Sequence, residues 1–186
     1  MLGAKRLKCG LLMFEELSVV IPVKKSARPF IEQFAEQMLW LLRSDAKIIV
    51  VDSGGGELLW QYSSDKPISV EVDMPTARKL GYERVQTEFT LNLDDDNVLN
   101  PNYLTQAIQL LRANAKVVAV AIDYEKLLGH LGFGTSVWRS AALKELYDWR
   151  RDNDRRCECV YMWQKVLGKG LLIETLPYRA KHLKMV

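Results

Sequence analysis

The sequence is poor in the features that mark secreted, zinc-stabilised or membrane-spanning proteins. It has only 3 cysteines in 186 residues, too few for the disulfide framework of a small secreted domain. Cys157 and Cys159 lack the second pair of ligands that a structural zinc site needs. No stretch approaches the roughly 20 apolar residues of a transmembrane helix. These absences predict reduced thiols and a cytoplasmic protein without a transmembrane segment, at most peripheral to a membrane.

The net charge is also low. The formal value is only +3, which argues against a nucleic-acid partner. The basic residues are nevertheless concentrated in the final third of the chain, at Arg139, Arg150, Arg151, Arg155, Arg156, Arg179, Lys181 and Lys184. This concentration predicts attraction to an acidic ligand or to an anionic membrane surface, although a solvated charged face explains it equally well.

Length and composition indicate one globular domain over residues 1–186. Hydrophobic residues make up 48% of the chain and charged residues 26%, as in ordinary soluble proteins. A chain of this length buries enough apolar surface to fold without a disulfide or a metal. No internal repeat, low-complexity tract or linker divides it.

Apolar, β-branched runs alternate with amphipathic segments along the chain. The runs predict buried strands at residues 17–22, 48–51, 89–93 and 117–122, with shorter strands at 68–72 and 171–173. Apolar residues at helical spacing predict helices that begin near residues 28 and 101 and others over 77–86, 141–149 and 154–167. This alternation predicts an α/β fold with a mostly parallel sheet flanked by helices.

Polar or backbone-exposing residues follow three of the predicted strands. Pro22 ends the first, Asp52 ends the second, and the acidic cluster Asp94–Asp96 follows the strand at 89–93. Ligands of parallel sheets collect beyond the carboxyl ends of the strands, so we expect these residues to line one site.

The acidic cluster predicts a site for a divalent cation. Three adjacent carboxylates repel one another unless a cation or solvent relieves them. Oxygen ligands suit Mg²⁺ or Mn²⁺, which bind through one or two carboxylates together with substrate phosphates. The alternative is an acidic, solvated turn in front of the helix at Pro101.

Two further segments suggest a phosphorylated ligand. The glycine-rich segment after Asp52 predicts a tight turn that lets backbone approach a nucleotide, or else a plain turn. Arg78 opens a predicted helix ahead of the acidic strand, where a cation would meet a diphosphate.

The order and spacing of these blocks resemble one enzyme family, the family-two glycosyltransferases of the GT-A fold. The blocks are Val19–Pro22, Ile49–Gly54, Ala77–Gly81 and Leu91–Asp96, followed by Pro101. The resemblance covers residues 17 to about 113 well, and continues more faintly through Gly134–Arg139 to Gly170 and Pro177. It implies a Rossmann-like sheet with a nucleotide-sugar-binding half, 1–113, and an acceptor and catalytic half, 114–186.

The resemblance also implies the roles of the site residues. The donor would be a uridine- or guanosine-diphosphate sugar, with Asp52 on the base or ribose and Arg78 near the diphosphate. Asp94 would contact ribose or metal, Asp96 would bind the metal, and His182 would touch metal or diphosphate. The remaining nucleotide-side residues would be Pro22, Ser53 and Asp95.

The catalytic base is where the sequence departs from the family. Family members invert the anomeric configuration in one displacement, and an aspartate of a Glu-Asp pair deprotonates the acceptor. Counting back from Gly170 gives Glu158-Cys159, so a thiol replaces that aspartate. Glu158 is the first substitute, with Asp154 or Asp152 as others; Glu158 could equally be a solvated helix residue.

The acceptor side leaves more alternatives open. The acceptor would be a saccharide, a lipid-linked or a protein hydroxyl, in a site that is open or completed by the partner subunit of a homodimer. Trp138 is the best aromatic candidate for that side, against a plain core position. Two other functions compete: a catalytically silent nucleotide-sugar-binding module, and a sugar-phosphate nucleotidyltransferase. The segment after Pro22 lacks the glycines of a nucleotidyltransferase loop.

Overall fold

The computed structural model describes residues 13–23, 31–124, 127–150 and 157–183, with backbone alone for residues 31–32, 123–124, 127–131 and 182. The strands are β1 Leu17–Val23, β2 Lys47–Asp52, β3 Ile68–Ser69, β4 Phe89–Asn92, β5 Asn97–Val98, β6 Val117–Tyr124, β7 Leu127–Leu131, β8 Val137–Arg139 and β9 Leu172–His182. The helices are α1 Ile31–Arg43, α2 Met74–Arg84, α3 Pro101–Ala113, α4 Ser140–Leu146 and α5 Glu158–Gly168, with 3-10 turns at Glu57–Tyr62 and Phe133–Thr135.

The sheet is parallel in its first part and mixed in its second. Its order is β3-β2-β1-β4-β8-β6-β9-β5, with β7 paired to β6. Strands β3, β2, β1 and β4 run parallel, β8 is antiparallel to both β4 and β6, and β9 is parallel to β6. The predicted α/β class is therefore confirmed. The predicted halves 1–113 and 114–186 share one sheet, because β4 pairs with β8.

Helices cover both faces of the sheet, and alternate residues of β1 supply the two cores. Val19 and Ile21 pack with α1 and α3, whereas Val20 packs with α2, α4 and α5. All three side chains are fully buried. A strand buried on both faces is apolar at nearly every position, which explains the apolar run from Val19 to Val23. Each such side chain contributes about 1.5–3 kcal/mol when it is buried.

Three elements differ most from their predicted bounds, whereas the ends of α2 and α4 differ by one to three residues. Strand β9 continues for 11 residues, to His182, where a strand ending at 173 was predicted. Its side chains are alternately exposed, and its pairing with β6 shifts register beside Pro177, so no apolar run marks it. Strand β3 has only 2 residues, and α5 begins at Glu158 rather than Asp154, which lies outside the described residues.

No helix within the described ranges has the length and apolar character needed to cross a bilayer.

Candidate functional site

Strands β1, β2 and β4 end side by side and form what we call the carboxyl edge of the sheet. Asp52 is the last residue of β2, and its neighbour Ser53 donates a backbone hydrogen bond to Val23 O at 2.9 Å. Leu93, just after β4, donates to Val20 O at 3.1 Å. Pro22 is buried in β1 opposite Val51. The acidic cluster therefore begins beside the ends of the other two strands.

Arg78 joins two of the predicted site residues at this edge. One guanidinium nitrogen contacts Asp94 Oδ1, and the other contacts Glu158 Oε2. Asp94 comes from the carboxyl edge and Glu158 from the first turn of α5, which is 64 positions further along the chain. The structure thus brings a residue of the acidic cluster, the predicted diphosphate ligand and the predicted base into direct contact.

The position of Arg78 follows from how α2 begins and packs. Asp73 caps the helix by accepting from Thr76 N at 3.0 Å. One turn after Arg78, Gly81 lies so near the sheet that an added Cβ would come within 2.3 Å of Val20 Cγ1. This close approach of α2 to β1 places Arg78 at the sheet edge.

Arg78 is a buried cation with incomplete hydrogen bonding. Its side chain is 5% exposed, and its guanidinium lies 5.3 Å from the ring centroid of Phe133. Burial lowers its pKa, but the charge and hydrogen bond of Asp94, together with Tyr82 and Tyr147, outweigh burial, and the pKa of Arg78 is raised. Arg78 Nε has no hydrogen-bond partner among the residues that the structure describes. The guanidinium therefore retains a donor for another anion.

Tyr147 is a second partner of Glu158, and no sequence pattern indicated it. Its phenol donates to Glu158 Oε1 at 2.6 Å, just beyond the end of α4. Burial raises the pKa of Tyr147 to about 12, although the charge of Arg78 acts in the opposite direction. Phe133 stacks on the Tyr147 ring with centroids 5.7 Å apart. Glu158 is thus held from two sides, and its side chain is only 13% exposed.

Gly134 makes room for the Asp94 carboxylate. A Cβ built on Gly134 would lie 1.9 Å from Asp94 Oδ2, and Asp94 N donates to Gly134 O at 3.0 Å. A side chain at this position would displace the Asp94 carboxylate. The glycine noted in the sequence is therefore a contact residue of the site.

The rest of the acidic cluster is fixed by distant elements. Asp95 is 5% exposed, and Asp96 is half-buried with Oδ1 accepting from Asn97 Nδ2 at 3.1 Å. The buried Gln37 of α1 holds the following segment, since it donates to Asn97 O at 3.0 Å and accepts from Leu99 N at 2.6 Å. The cluster is a structured turn of the fold.

Strand β9 brings the chain terminus to the acidic cluster. His182 pairs with Asn97, and Leu183 N donates to Asp96 O at 2.6 Å. The backbone of His182 is therefore next to Asp96, while its side chain is outside the described part of the structure. Asp154 is also outside the described residues, so its place at the site stays a prediction.

The donor set can be compared with what a divalent cation requires. Among the described residues, no three His, Cys, Asp or Glu side chains converge as a cation site. Asp94 and Asp96 supply carboxylate oxygens, and Asp94 shares one of them with Arg78. Mg²⁺ and Mn²⁺ often take one or two carboxylates and complete their shell with water and substrate phosphate. The residues fit an ion that binds together with a phosphorylated ligand.

Asp52 is held by its own loop. Its Oδ1 accepts from Gly54 N at 2.8 Å and Gly56 N at 3.0 Å, and its Oδ2 accepts from Trp60 Nε1 at 2.8 Å. Asp52 as a whole is 1% exposed. Gly54 has a φ of 116°, a conformation that side chains rarely adopt, which explains a glycine there. Asp52 thus shapes the loop after β2.

A cavity of about 280 Å³ lies beside this loop, lined by Asp52, Ser53, Gly54, Ser69, Val70 and Glu71. Ser53 Oγ is buried and has no hydrogen-bond partner within the described residues. Ligand pockets commonly measure roughly 300–1,000 Å³, so this cavity suits a single ring system. Ser53 and Gly54 line the cavity, so the loop would contact a ligand that binds there.

Two other candidates serve the fold. Trp138 is fully buried and stacks on Trp163 with centroids 5.4 Å apart, so the core interpretation is confirmed. Arg139, one of the concentrated basic residues, donates from Nε to Val117 O at 3.0 Å and contacts Leu111 O and Asn114 O. Its guanidinium therefore donates to backbone carbonyls near the end of α3.

Solved structures share this fold at low identity. The chain superposes on a mannosyltransferase from Pyrobaculum calidifontis, solved with GDP-Man and Mn²⁺, with a TM-score of 0.68 and 16% identity over 87% of this chain and 55% of that one. S. aureus TarS in complex with UDP-GlcNAc gives 0.62 and 16% over 92% of this chain and 59% of that one. The chain therefore spans little more than half the length of these two proteins.

A synthase also shares the fold. The 4-diphosphocytidyl-2C-methyl-D-erythritol synthase from Anaerococcus prevotii gives a TM-score of 0.63 and 11% identity, over 91% of this chain and 89% of that one. At such identities the likeness establishes the fold alone.

The sequence itself separates these possibilities. Comparison with curated proteins found no match. A family model described as glycosyl transferase family 2 does match, over residues 18–163, and these residues include Asp52, Arg78, Asp94 and Glu158. The matched segment covers most of the chain, and the fold and the contacts at the carboxyl edge agree with it. The chain belongs to glycosyl transferase family 2.

Proposed function

We propose that this protein transfers a sugar from a nucleoside-diphosphate sugar to a hydroxyl acceptor. The observation that carries the proposal is the contact of Arg78 with both Asp94 and Glu158 at the carboxyl edge, in a chain of this family. Arg78 is a buried cation at the acidic cluster and therefore suits the binding of a diphosphate. Glu158, one of the two carboxylates that Arg78 contacts, suits the acceptance of a proton.

The nucleobase enters the cavity beside the loop after β2. Ser53, which lines this cavity, supplies a hydrogen bond, and Pro22 lies on the neighbouring strand β1. Asp52 acts chiefly by holding the loop, because its three donors already occupy both carboxylate oxygens. This modifies the role that the family resemblance implies for Asp52, from a direct contact with the base or ribose to the shaping of its pocket.

The diphosphate binds at Arg78 and competes there with the two carboxylates. Arg78 Nε is a spare donor, and a phosphate is a better partner for a guanidinium than a single carboxylate oxygen. Binding of the donor then weakens the contact of Arg78 with Glu158. Glu158 then becomes free to act only when the donor is in place.

Asp94 and Asp96 hold Mg²⁺ or Mn²⁺ together with the diphosphate, with His182 on the adjoining strand and Asp95 buried beneath them. When bound, the ion offsets the negative charge that develops on the departing diphosphate.

Glu158 acts as the base, with Asp154 as the second candidate. The acceptor oxygen attacks the anomeric carbon while the bond from that carbon to the diphosphate oxygen breaks, and the hydroxyl proton passes to the carboxylate. One displacement inverts the anomeric configuration. Tyr147 orients the carboxylate through its 2.6 Å hydrogen bond.

The acceptor is a saccharide, a lipid-linked or a protein hydroxyl. The exposed basic residues Arg179 and Lys181 of β9 lie near the acidic cluster along the strand and would favour an anionic acceptor or a membrane surface. The acceptor site is open or is completed by a partner subunit in a homodimer.

Calorimetry with UDP and with GDP, each with and without Mn²⁺, tests the binding step. We expect one nucleotide to bind in the presence of Mn²⁺ and the Asp96→Ala variant to lose at least tenfold in affinity, about 1.4 kcal/mol. Asp65→Asn, which changes an exposed aspartate distant in sequence from the acidic cluster, is the matched control and should bind normally. Failure of both nucleotides to bind would contradict the proposal.

A second variant separates catalysis from binding. Glu158→Gln should abolish release of the nucleoside diphosphate from a donor but bind that diphosphate as tightly as wild type or more tightly, because one competitor for Arg78 is gone. If wild type binds donors yet turns over none with any acceptor or water, the chain is a silent nucleotide-sugar-binding module. Unchanged turnover in Glu158→Gln would transfer the role of base to Asp154 or another group.

A nucleotidyltransferase is the second candidate function, because the synthase from Anaerococcus prevotii shares the fold over nearly its whole length. Pyrophosphate release from a nucleoside triphosphate and a sugar phosphate would favour it. The absence of glycine in residues 22–26 argues against it.

A further inference from the structure

Two cysteines flank Glu158 at the start of α5, and their sulfur atoms are close together. Cys157 Sγ lies 3.5 Å from Cys159 Sγ, and it also accepts from Val160 N at 3.5 Å. Residues two apart in a regular helix do not face each other. The sulfurs meet here because Cys157 is the capping residue, with an extended backbone at φ −64° and ψ 150°. The two residues are reduced in this structure.

The two thiols differ in their surroundings. Cys157 is exposed to solvent, whereas Cys159 is partly buried against the core cluster that contains Phe133. Burial and, after it, the neighbouring thiol raise the pKa of Cys159 to about 11. A reagent in solution therefore reaches Cys157 first, and Cys159 is positioned to react second.

We infer that Cys157 and Cys159 form a dithiol site that a small disulfide, such as glutathione disulfide, closes reversibly. The Cys157 thiolate attacks one sulfur of the oxidant, forms a mixed disulfide and expels one thiolate. The Cys159 thiolate then attacks the Cys157 sulfur and expels the second. Two cysteines are oxidised to one disulfide, the oxidant is reduced to two thiols, and the two cysteine protons go to the expelled thiolates.

Closure disturbs the residue between the two sulfurs. A disulfide needs a sulfur separation near 2.05 Å, so the atoms must approach by about 1.5 Å. Cys157 then leaves its capping position on Val160 N, and the first turn of α5 rotates. We expect Glu158 to lose its contacts with Arg78 and Tyr147. The effect of this loss on turnover rests on the proposed function, but the disulfide itself does not.

Oxidation of the full-length chain by glutathione disulfide at pH 8 tests the site, with intact mass and peptide mapping as readouts. Wild type should lose two hydrogens and show a Cys157–Cys159 link within one peptide. Cys157→Ser keeps an oxygen that can cap the helix, and Cys159→Ser leaves the helix intact. Neither variant should form the link. Cys159→Ser should retain one glutathione. Cys9→Ser is the matched control and should behave as wild type. A stable adduct with two glutathiones at 157 and 159, or a link that includes Cys9, would overturn the inference.

The pH dependence of closure identifies the second sulfur. Burial is the main cause that raises the pKa of Cys159 and it persists in the mixed disulfide, so the thiolate fraction of Cys159 grows with pH between 7 and 9. The conversion of the mixed disulfide should accelerate accordingly, by up to about tenfold for each pH unit. A rate independent of pH over this range would contradict Cys159 as the resolving thiol.

A last experiment distinguishes the failure of this inference from the failure of the proposed function. Hydrogen exchange at residues 158–162 should increase on oxidation and return with dithiothreitol, whatever the chain catalyses. Turnover of a nucleotide sugar should fall at least tenfold in the oxidised protein and recover on reduction, with Cys157→Ser resistant. A reduced protein that forms the disulfide but binds no nucleotide refutes the function alone. A fully active oxidised protein refutes the regulatory consequence.

Discussion

Two carboxylate sites lie at the carboxyl edge of the sheet, and different kinds of partner hold them. Asp52 is held by three uncharged donors, two backbone amides and an indole, all within eight residues of it. Asp94 and Glu158 share one cation, Arg78, which belongs to a different part of the chain. The first site is fixed by local chain geometry, whereas the second depends on a tertiary balance of charges.

This difference indicates which part of the site changes when a ligand arrives. Backbone amides in a short loop have little freedom to leave their acceptor, so the pocket beside Asp52 is preformed. A guanidinium shared by two carboxylates can transfer its hydrogen bonds to a third anion at little cost, because the charge stays compensated. A diphosphate would therefore rearrange the Arg78 side and leave the Asp52 side as it is.

Removing the shared cation should have the largest effect. Arg78→Met leaves Asp94 and Glu158 without their cation, and loss of one partner of a buried ion pair costs about 3–5 kcal/mol. Because Asp94 is 26% exposed, we expect a loss of roughly 3 kcal/mol in the free energy of unfolding, measured by urea denaturation. Adding Glu158→Gln should restore part of that loss. Strictly additive costs in the double variant would show that the two residues are not coupled.

Filling the space at Gly134 should affect function more than stability. A Cβ there would lie 1.9 Å from Asp94 Oδ2, but the end of a side chain can move aside. Gly134→Ala should cost about 1–2 kcal/mol of stability. Displacement of Asp94 from Arg78 should lower nucleotide affinity at least tenfold in calorimetry. Gly168→Ala, where an added Cβ meets nothing within 4 Å, is the control and should leave both quantities nearly unchanged.

The local elements were accessible from sequence, because each has a local cause. Strands β1 and β2 are apolar at most positions since both faces are covered, and α1 and α3 show clear apolar faces. Strand β8 has only 3 residues, and it pairs antiparallel with β4. This pairing depends on the tertiary fold, so no periodicity in the sequence predicts it. Alternate side chains of β9 are exposed, so no continuous apolar run in the sequence marks the length of this strand.

The candidate site, like the fold, has residues that the sequence indicated and residues that only the tertiary structure brings together. The spaced blocks indicated Arg78 and Asp94, and the family's position for the base indicated Glu158. Tyr147 could not be found, because an aromatic residue after a short helix has many core uses and only the fold brings it to Glu158. The partner of Asp52 was also missed, since Trp60 lies in a 3-10 turn that no pattern predicted.

Alkaline unfolding tests whether the phenol next to Glu158 is as enclosed as the contacts indicate. The pKa of Tyr147 is raised from 10.0 to about 12 by burial. Between these pH values the unfolded chain loses the proton and the folded chain keeps it, so stability falls as pH rises, by up to roughly 2–3 kcal/mol. Tyr147→Phe loses about 1.5 kcal/mol at pH 7 through its missing hydrogen bond, but it should decline less between pH 10 and 12. Parallel pH profiles of the two proteins would contradict this placement.

The smallest effect is expected on the side with uncharged donors. Trp60→Phe removes one of the three donors to Asp52 and leaves both backbone amides in place. Trp60 is 39% exposed, so water can replace the indole, and we expect a loss of only about 1 kcal/mol in the free energy of unfolding. Nucleotide affinity in calorimetry should change no more than threefold, because the loop keeps its shape. A loss as large as that of Arg78→Met would mean that the indole, and not the loop backbone, fixes Asp52, and that each carboxylate site depends on a single side chain.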